Sequence, residues 1–348
     1  MMGITTPRTI RSAFEEKRNN FHVIRLLAAW AVIYGHSYAV TATPGGDLFL
    51  QWVGFKFIGG VAVDVFFVIS GFLITASLER NRGWNYIRAR VLRIFPALIV
   101  AVTLSVVVLG PLFSNDPGYW SNPQTWTYWW HNVTMWRTEY FLPGVFQANP
   151  DPAVNGSLWS LPIEFRLYGV FLLLALLGLL TRNRFTAFAI VVLLAGLVIV
   201  PKYPVFTQYA NWVNVTAYFM AGSLFWLRRD EIPLSPWLVI AVLGLCMLFH
   251  GTDKFHIAFF AALVYITFYI GFMRFPNWLH ITRTDISYGV YLYGWPVQQV
   301  FVAVFPGQGA LMNTLLSTVV VFCIAALSWH LVEKPALSFK TKQPQKPA

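Results

Sequence analysis

The residues of this sequence that could do chemistry are ionisable side chains placed inside long apolar stretches. They are Arg25, His36, Asp64, Glu164 and Arg166. A charge inside a hydrocarbon environment costs about 3 kcal/mol or more unless it is paired or hydrated, so each one is a candidate for function. A histidine close to a carboxylate suits proton transfer, because the carboxylate can hold one imidazole tautomer while the other ring nitrogen takes a proton.

Arg25 and His36 are eleven residues apart, which is about three turns of an α-helix and an axial distance of roughly 16 Å. They therefore share one helix face, with the arginine near the inner membrane surface and the histidine in the outer half. Each residue also has a simpler interpretation. Arg25 alone fits a positively charged membrane anchor, and His36 alone fits a packing residue that bonds to a backbone carbonyl.

Two carboxylates are candidates for the same site. Asp64 is expected near the outer end of its helix, at about the depth of His36, where it could orient the imidazole or cap the helix end. Glu164 follows Pro162, which suits the first turn of a helix, so Glu164 is expected just below the outer surface. There it could bind sugar hydroxyls, orient His36 or act structurally. Arg166 should point to a different side of the helix.

Three arginines, Arg88, Arg90 and Arg93, precede the third apolar segment. Arg90 and Arg93 are three residues apart and therefore neighbours on a helix face. Guanidinium groups bind phosphate bidentately, so the cluster is a plausible phosphate site. Anchoring of the chain by positive charge on the cytoplasmic side explains any one of them equally well.

Apolar helices must position all these residues. The chain is 57% hydrophobic and 11% charged, against roughly 25% charged in an average soluble domain. No polar linker divides its 348 residues, which indicates one all-α membrane domain, and the two cysteines suggest neither a disulfide nor a metal site. Segments of about 20 apolar residues can span a bilayer, and ten are predicted, at 21–41, 57–78, 91–113, 159–180, 185–201, 209–227, 235–250, 255–273, 285–305 and 309–332.

The distribution of positive charge predicts the orientation. With the N-terminus inside, twenty of the twenty-five Lys and Arg residues fall on the cytoplasmic side, as the positive-inside rule requires. Residues 1–20 then form a cytoplasmic segment, 21–332 the membrane core and 333–348 a cytoplasmic tail. The formal charge of +11 is explained by this orientation and by attraction to anionic lipid rather than by nucleic-acid binding.

The longest connection, residues 114–158, is predicted to be external and is rich in Trp, Tyr, Asn and Pro. Long ordered loops are often functional. The aromatic residues favour either an interfacial belt or a surface on which sugar rings stack, and the two alternatives are compatible.

Taken together, these motifs resemble the acyltransferase 3 family of multi-pass membrane acyltransferases, over almost the whole chain. The first motif is the pair Arg25 and His36, followed by DVFFVISGFLIT at 64–75 and Arg90-x-x-Arg93. SLWSL at 157–161 with Glu164, ISYGVYLYGWP at 286–296 and EKP at 333–335 complete the set. Gly294 departs from the histidine that often precedes Trp-Pro in this family.

The resemblance implies transfer of an acyl group, often acetyl, from cytoplasmic acyl-CoA to a hydroxyl of a surface polysaccharide or lipid-linked glycan at the outer face. It implies a bacterial inner-membrane enzyme that needs no metal. Arg25 and His36 would correspond to the family's essential pair, and Arg90 and Arg93 to its donor-binding arginines.

The resulting hypothesis places the CoA phosphates at Arg88, Arg90 and Arg93 and makes His36 the general base, with Asp64 orienting it. A route through acyl-histidine is equally compatible with the sequence. The rival is a transporter of a sugar-like solute or of protons, whose path would be lined by Asp64, Glu164 and Arg166. Such transporters often contain paired broken helices in two halves, and this sequence shows no such repeat.

Overall fold

The computed structural model describes residues 8–81, 83–202, 209–275 and 285–340, and only the backbone of 193–202. The described chain is helical, and its extended contacts are isolated bridges such as that between Ser114 and Val145. The α-helices are α1 Ile10–Glu15, α2 Phe21–Val40, α3 Leu48–Val53, α4 Ile58–Arg80, α5 Trp84–Leu104, α6 Gly110–Phe113, α7 Pro123–Thr134, α8 Ser160–Leu176, α9 Arg182–Lys202, α10 Ala210–Leu227, α11 Pro236–Phe249, α12 Phe255–Gly271, α13 Ser287–Val304, α14 Ala310–Ser328 and α15 Lys334–Ser338.

The protein is an integral membrane protein with several apolar helices. Within the described residues, five helical runs are long and apolar enough to cross a membrane, and α11 and α12 are shorter apolar helices. The long runs are Phe21–Val40, Ile58–Arg80, Trp84–Phe113, Gly156–Leu176 and Ala310–Ser338. The all-α membrane class is therefore confirmed. Each of the ten predicted spans coincides with a helix, but the count of ten and the cytoplasmic location of both termini stay predictions.

The third predicted span begins too late. The structure starts α5 at Trp84 and continues it through a π-helix, Ser105–Leu109, into α6. The uninterrupted run has 30 residues and a length of about 45 Å. Arg88, Arg90 and Arg93 are thus residues of the helix itself and do not precede it. Arginine near a helix end can extend its charge away from the apolar part of the helix, which is why the apolar pattern alone placed the start later.

The contacts divide the chain into two compact units, which are described separately. Unit 1 consists of the described parts of Met1–Ala28, Val61–Arg80 and Gly169–Arg283. Unit 2 consists of the described parts of Ala29–Gly60, Asn81–Tyr168 and Thr284–Ala348. The interpretation of the chain as one domain stays a prediction.

In unit 1, α4 and α10 pack with almost nothing between their backbones. A Cβ added to Gly71 would collide with the backbone carbonyl of Phe219, and one added to Gly222 would collide with that of Val68. The hydroxyl of Ser223 also donates to the carbonyl of Gly71, at 3.1 Å. Small residues permit this approach, which is a common way of packing helices in a membrane.

In unit 2, the last part of the long connection runs along α13 instead of staying outside the helices. Hydrogen bonds of 2.8–3.0 Å join, in order, Asn149 to Gln299, Ala153 to Trp295, Asn155 to Leu292 and Ser157 to Tyr291. Each step lies closer to the N-terminus of α13. Consequently α8, which begins at Ser160, starts beside the first turns of α13, where the hydroxyls of Ser160 and Tyr291 are 2.7 Å apart.

The middle of the same connection contains α7, an amphipathic helix that packs on α5. Trp129 donates its indole N–H to the hydroxyl of Thr103 at 3.0 Å, and Tyr128 is fully buried. Trp126 and Trp130 are more than half exposed and four residues apart, so they share the outward face of α7. This face fits both predicted alternatives, the interfacial belt and the sugar-stacking surface.

Candidate active site

His36 lies in the second half of α2 and is buried, with 8% of its surface exposed. The edge of its ring meets Trp295 of α13, with ring centroids 4.8 Å apart and an interplanar angle of 73°. Phe57 lies on another side at 5.7 Å. These aromatic walls limit rotation of the imidazole and exclude water, so the ring is held in place by packing.

The Nδ1 atom of His36 is buried and has no hydrogen-bond partner among the residues that the structure describes. Buried polar atoms without partners are uncommon, and each calls for an explanation such as catalysis or a ligand. The interpretation of His36 as a packing residue bonded to a backbone carbonyl does not account for this nitrogen. An unpaired imidazole nitrogen is available to accept a proton.

The helix segment around His36 is fixed by a network of neutral polar groups. The amide nitrogen of Gln298 donates to the carbonyl of Ile33 at 2.8 Å, to the hydroxyl of Ser37 at 2.7 Å and to the amide oxygen of Asn313 at 3.1 Å. Thr314 donates to the same Ser37 hydroxyl at 2.8 Å. Hydrogen-bonded polar networks rigidify helix packing, and this one fixes Ser37, the residue that adjoins His36.

The two other sequence candidates on these early helices belong to unit 1. Arg25 is on the first half of α2, and its guanidinium lies 5.8 Å from the ring centroid of Phe66. Asp64 is completely buried and accepts a hydrogen bond of 2.8 Å from the side-chain amide of Asn214. Asp64 is the seventh residue of α4, so it does not cap the start of that helix. Its predicted role in orienting His36 stays a prediction.

Arg93 is held by two carboxylates that are distant in sequence. It forms salt bridges of 2.7 Å with Asp285 and 3.1 Å with Glu333. All three side chains are largely buried, and Glu333 is only 2% exposed. The guanidinium also lies near the rings of Tyr288 and Trp329. Its charge is therefore compensated within the protein, and Arg93 joins α5 to the start of α13 and to the C-terminal segment.

Arg90, three residues earlier, is in a different state. Its guanidinium lies 5.8 Å and 6.0 Å from the ring centroids of Tyr86 and Tyr168. Its Nε atom is buried without a hydrogen-bond partner in the described part of the chain. Within that part, neither Arg88 nor Arg90 has a carboxylate at salt-bridge distance. A cation fixed by aromatic rings and lacking a counter-ion is suited to binding an anionic ligand.

A further cation at this site, Lys340, was missed by the sequence reasoning, which counted it only as a positive charge of the tail. The residue follows α15, which packs against α5. Burial, followed by the positive charges of Arg90 and Arg93, lowers the pKa of the Lys340 ammonium to about 8. A lysine placed beside two arginines is unfavourable without an anion. The only sequence signal is the basic tail itself.

Glu164 is connected to the arginine cluster through Tyr168. Its carboxylate accepts a 2.6 Å hydrogen bond from Tyr168, the residue whose ring faces Arg90. Tyr168 in turn accepts a 3.1 Å bond at its carbonyl from Tyr86, in the first turn of α5. The expected position of Glu164 just below the outer surface stays a prediction.

Arg166 bonds to the long connection, and the prediction that it points to a different side of α8 from Glu164 stays a prediction. Its guanidinium donates a hydrogen bond of 2.9 Å to the backbone carbonyl of Trp136. Trp136 is 74% exposed. Arg166 therefore ties α8 to the segment that follows α7.

The fold and this site define a membrane-bound O-acyltransferase. The model of the acyltransferase 3 family, described as an acyltransferase domain, matches residues 18–331, and the chain belongs to this family. The family membership confirms the resemblance and the enzyme class, and it displaces the interpretation of the chain as a transporter.

Several known sequences are similar to most of this chain. An O-acetyl transferase of Shigella phage Sf6 is 28% identical over 92% of this chain and 97% of its own length. Nodulation protein 10 of Rhizobium leguminosarum bv. viciae is 31% identical over 93% and 94%. "Putative peptidoglycan O-acetyltransferase YrhL" of Bacillus subtilis (strain 168) is 26% identical over 86% of this chain and 53% of its own length. No solved structure matches the chain significantly.

Proposed function

We propose that this enzyme transfers an acetyl group from cytoplasmic acetyl-CoA to a hydroxyl of a surface polysaccharide or lipid-linked glycan, in a bacterial inner membrane. The observation that carries the proposal is the division of unit 2 into a cationic region and a neutral one. Arg90 and Lys340 have no carboxylate partner among the described residues, whereas His36 is surrounded by aromatic rings and amides. The arginine end faces the cytoplasm in this proposal, and the chain crosses the membrane ten times.

The donor phosphates bind Arg88, Arg90 and Lys340. Arg93 acts differently, because its two salt bridges already compensate its charge. It holds the first turns of α13 and the C-terminal segment against α5, which keeps Arg90 and Lys340 together. The prediction that Arg93 binds the donor directly is thus revised to a positioning role.

The thioester reaches His36 along unit 2. Arg93 contacts Tyr288, and His36 contacts Trp295. These two residues of α13 are seven apart, which corresponds to about 10 Å along the helix. The flexible pantetheine arm of CoA can extend over such a distance while its phosphates stay at the arginines.

His36 acts as the general base. It takes the proton of the acceptor hydroxyl as the oxygen attacks the thioester carbonyl, the carbon–sulfur bond breaks, and the CoA thiolate leaves and is protonated. A general base contributes about 10²–10⁴-fold to a rate. His36 could instead attack the thioester itself through the same nitrogen and release the CoA thiolate. The acceptor hydroxyl would then take the acyl group from the acyl-histidine intermediate and restore the imidazole. Glu164 holds Tyr168 against Arg90 in this proposal.

The test is release of CoA from labelled acetyl-CoA by the purified full chain. His36→Ala should reduce turnover by about 10²–10⁴-fold. His22→Ala is the matched control, because His22 is an exposed residue of the same helix, and its turnover should equal that of the unchanged protein. Equal turnover by His36→Ala and the unchanged protein would refute the mechanism.

The acceptor class rests on the relatives, which are named as an O-acetyl transferase and as a peptidoglycan O-acetyltransferase. Mass spectrometry of surface polysaccharide from cells with and without the gene tests it. Loss of an acetyl mass on a glycan is expected. An unchanged glycan together with a changed small molecule would contradict the assignment.

A further inference from the structure

A cavity of about 590 Å³ opens at the end of unit 2 opposite the arginines. It lies between the end of α6, residues 144–150 and the loop that joins α13 to α14. Its walls include Thr41, Asn115, Phe146, Gln147, Asn149 and Gln308. Ligand sites in proteins commonly have volumes of about 300–1,000 Å³, so this cavity can hold a molecule as large as a sugar unit.

Among the described residues, the walls of the cavity carry no ionisable side chain. They present amides, hydroxyls and backbone groups together with apolar side chains such as Leu112 and Val302, and the ring of Phe146 packs against Phe113 with centroids 5.0 Å apart. Side-chain amides both donate and accept hydrogen bonds, which matches the hydroxyl groups of a sugar. An anionic ligand would find no cation among the described wall residues, and an acyl chain would leave the amide of Gln308 unpaired.

Gln308 gives the second observation that points to a ligand. Both its amide nitrogen and its amide oxygen are buried and lack hydrogen-bond partners in the described residues. A buried polar group left unpaired costs about 1–3 kcal/mol. A ligand hydroxyl in the cavity can donate to the oxygen and accept from the nitrogen, which removes this cost.

We propose that this cavity binds a neutral sugar unit of the acceptor glycan. The inference rests on the proposed function, because it supplies the second substrate of that reaction. Thr41, at the cavity wall, is five residues beyond His36, or roughly 7–8 Å along the helix direction. Between the cavity and His36 lies the apolar cluster of Val40, Ala153, Trp295 and Val302.

The sugar in the cavity is therefore a neighbour of the acylated unit. Binding of a remote part of the substrate can position the reacting hydroxyl. The cavity selects neutral glycans in this way, and the chemistry takes place deeper, at His36.

The probe is a set of neutral methyl glycosides of glucose, rhamnose and N-acetylglucosamine, with methyl glucuronide as the anionic comparison. Their dissociation constants for the full chain in detergent are measured by saturation-transfer NMR. At least one neutral glycoside should bind, and more tightly than the glucuronide. Gln308→Ala should weaken its binding about tenfold, equivalent to roughly 1.4 kcal/mol, without lowering the melting temperature, because it breaks no hydrogen bond to the protein.

Gln124→Ala is the matched control, since Gln124 is an exposed amide of the same long connection outside the cavity. It should leave glycoside binding unchanged. Ala303→Trp fills the cavity and should abolish binding, which gives a second variant should Gln308→Ala not fold. No binding by any neutral glycoside, or equal binding by Gln308→Ala and the unchanged protein, would overturn the inference.

The release of CoA by the same samples separates the two proposals. His36-dependent turnover of acetyl-CoA without glycoside binding would leave the proposed function intact and remove the sugar site. Glycoside binding that depends on Gln308, without His36-dependent turnover, would support the sugar site and contradict the proposed mechanism.

Discussion

Two regions of unit 2 differ in the charge of their buried groups. Around Arg93, charged groups are buried and matched, with Asp285 and Glu333 at 2.7 Å and 3.1 Å. Around His36, the neighbours are aromatic rings and a network of amides and hydroxyls, and one ring nitrogen is unpaired. The first region keeps its shape through ion pairs. The second keeps its shape through packing and neutral hydrogen bonds.

The difference suits two binding tasks. Phosphate groups are recognised by cations, and the cationic region supplies Arg90 and Lys340 beside the paired Arg93. A sugar hydroxyl is recognised by neutral donors and acceptors, and a nearby fixed charge would bias the imidazole towards one protonation state. Because the cationic region is separate from His36, a change in donor binding need not alter activation of the hydroxyl.

The largest effect should come from Arg93→Ala. It leaves Asp285 and Glu333 buried and unpaired, and breaking a buried ion pair by removing one partner costs about 3–5 kcal/mol. Chemical unfolding of the purified protein in mixed micelles should show this loss. Arg88→Ala is the control, because Arg88 forms no salt bridge with the described residues. Loss of donor binding by Arg93→Ala with unchanged stability would show instead that Arg93 contacts the donor.

Arg90→Ala should act on the donor and not on the fold. Charge-assisted hydrogen bonds contribute about 1.5–3 kcal/mol, so the KM for acetyl-CoA should rise by roughly tenfold or more while the melting temperature changes little. Arg137→Ala tests the specificity of this effect, since Arg137 is an exposed arginine of the long connection. A change in kcat alone, with KM unaffected, would contradict phosphate binding by Arg90.

The pattern of residue types predicted more of the neutral region than of the cationic one. The spacing of Arg25 and His36 and the apolar periodicity are local, so the helix and the burial of the histidine follow from them. The partners of Arg93 are 192 and 240 residues away, and nothing local indicates which carboxylates approach it. The sequence therefore identified the arginine but not its two partners.

Glu164 and Lys340 show the same limit. A polar, aromatic stretch before a helix is typical of an external loop, and the sequence does not reveal that residues 149–159 turn back along α13. The hydrogen bond from Tyr168 to Glu164, which connects Glu164 to Arg90, is likewise absent from the local pattern. Lys340 reaches Arg90 only because the chain after α14 folds back on α5 through α15, which is a tertiary contact between segments that are distant in sequence.

A smaller effect should appear as a pH dependence of donor binding. The pKa of Lys340 is about 8 in the folded protein, lowered chiefly by burial and then by Arg90 and Arg93. A bound phosphate would raise this pKa, so binding takes up a proton and weakens as pH rises above about 8. The KM for acetyl-CoA should therefore increase by up to roughly tenfold between about pH 7.5 and 9.5.

The contribution of Lys340 to the stability of the fold changes with pH in the opposite direction. The folded pKa of Lys340 lies below its unfolded value, so between the two the unfolded chain binds more protons, and this residue stabilises the fold as pH rises. The carboxylates at the same site, Asp285 and Glu333, stay paired with Arg93 over this range. Lys340→Arg keeps its charge at every pH used and should make KM nearly independent of pH. A steep dependence that survives in Lys340→Arg would exclude Lys340 as its source.

The smallest effect should come from Trp295→Phe, in the neutral region. The substitution removes the indole N–H that donates to the carbonyl of Ala153 at 2.8 Å, but that carbonyl keeps a 2.7 Å bond from Gln299. The loss of stability should then be below about 1 kcal/mol, since no buried acceptor is left unpaired. The smaller ring still meets His36 but restrains it less, so kcat should fall by only a few-fold with the KM for acetyl-CoA unchanged. A large rise in that KM would mean that a change beside His36 also affects donor binding at the arginines. The neutral and cationic regions would then not act independently, although their contacts are separate.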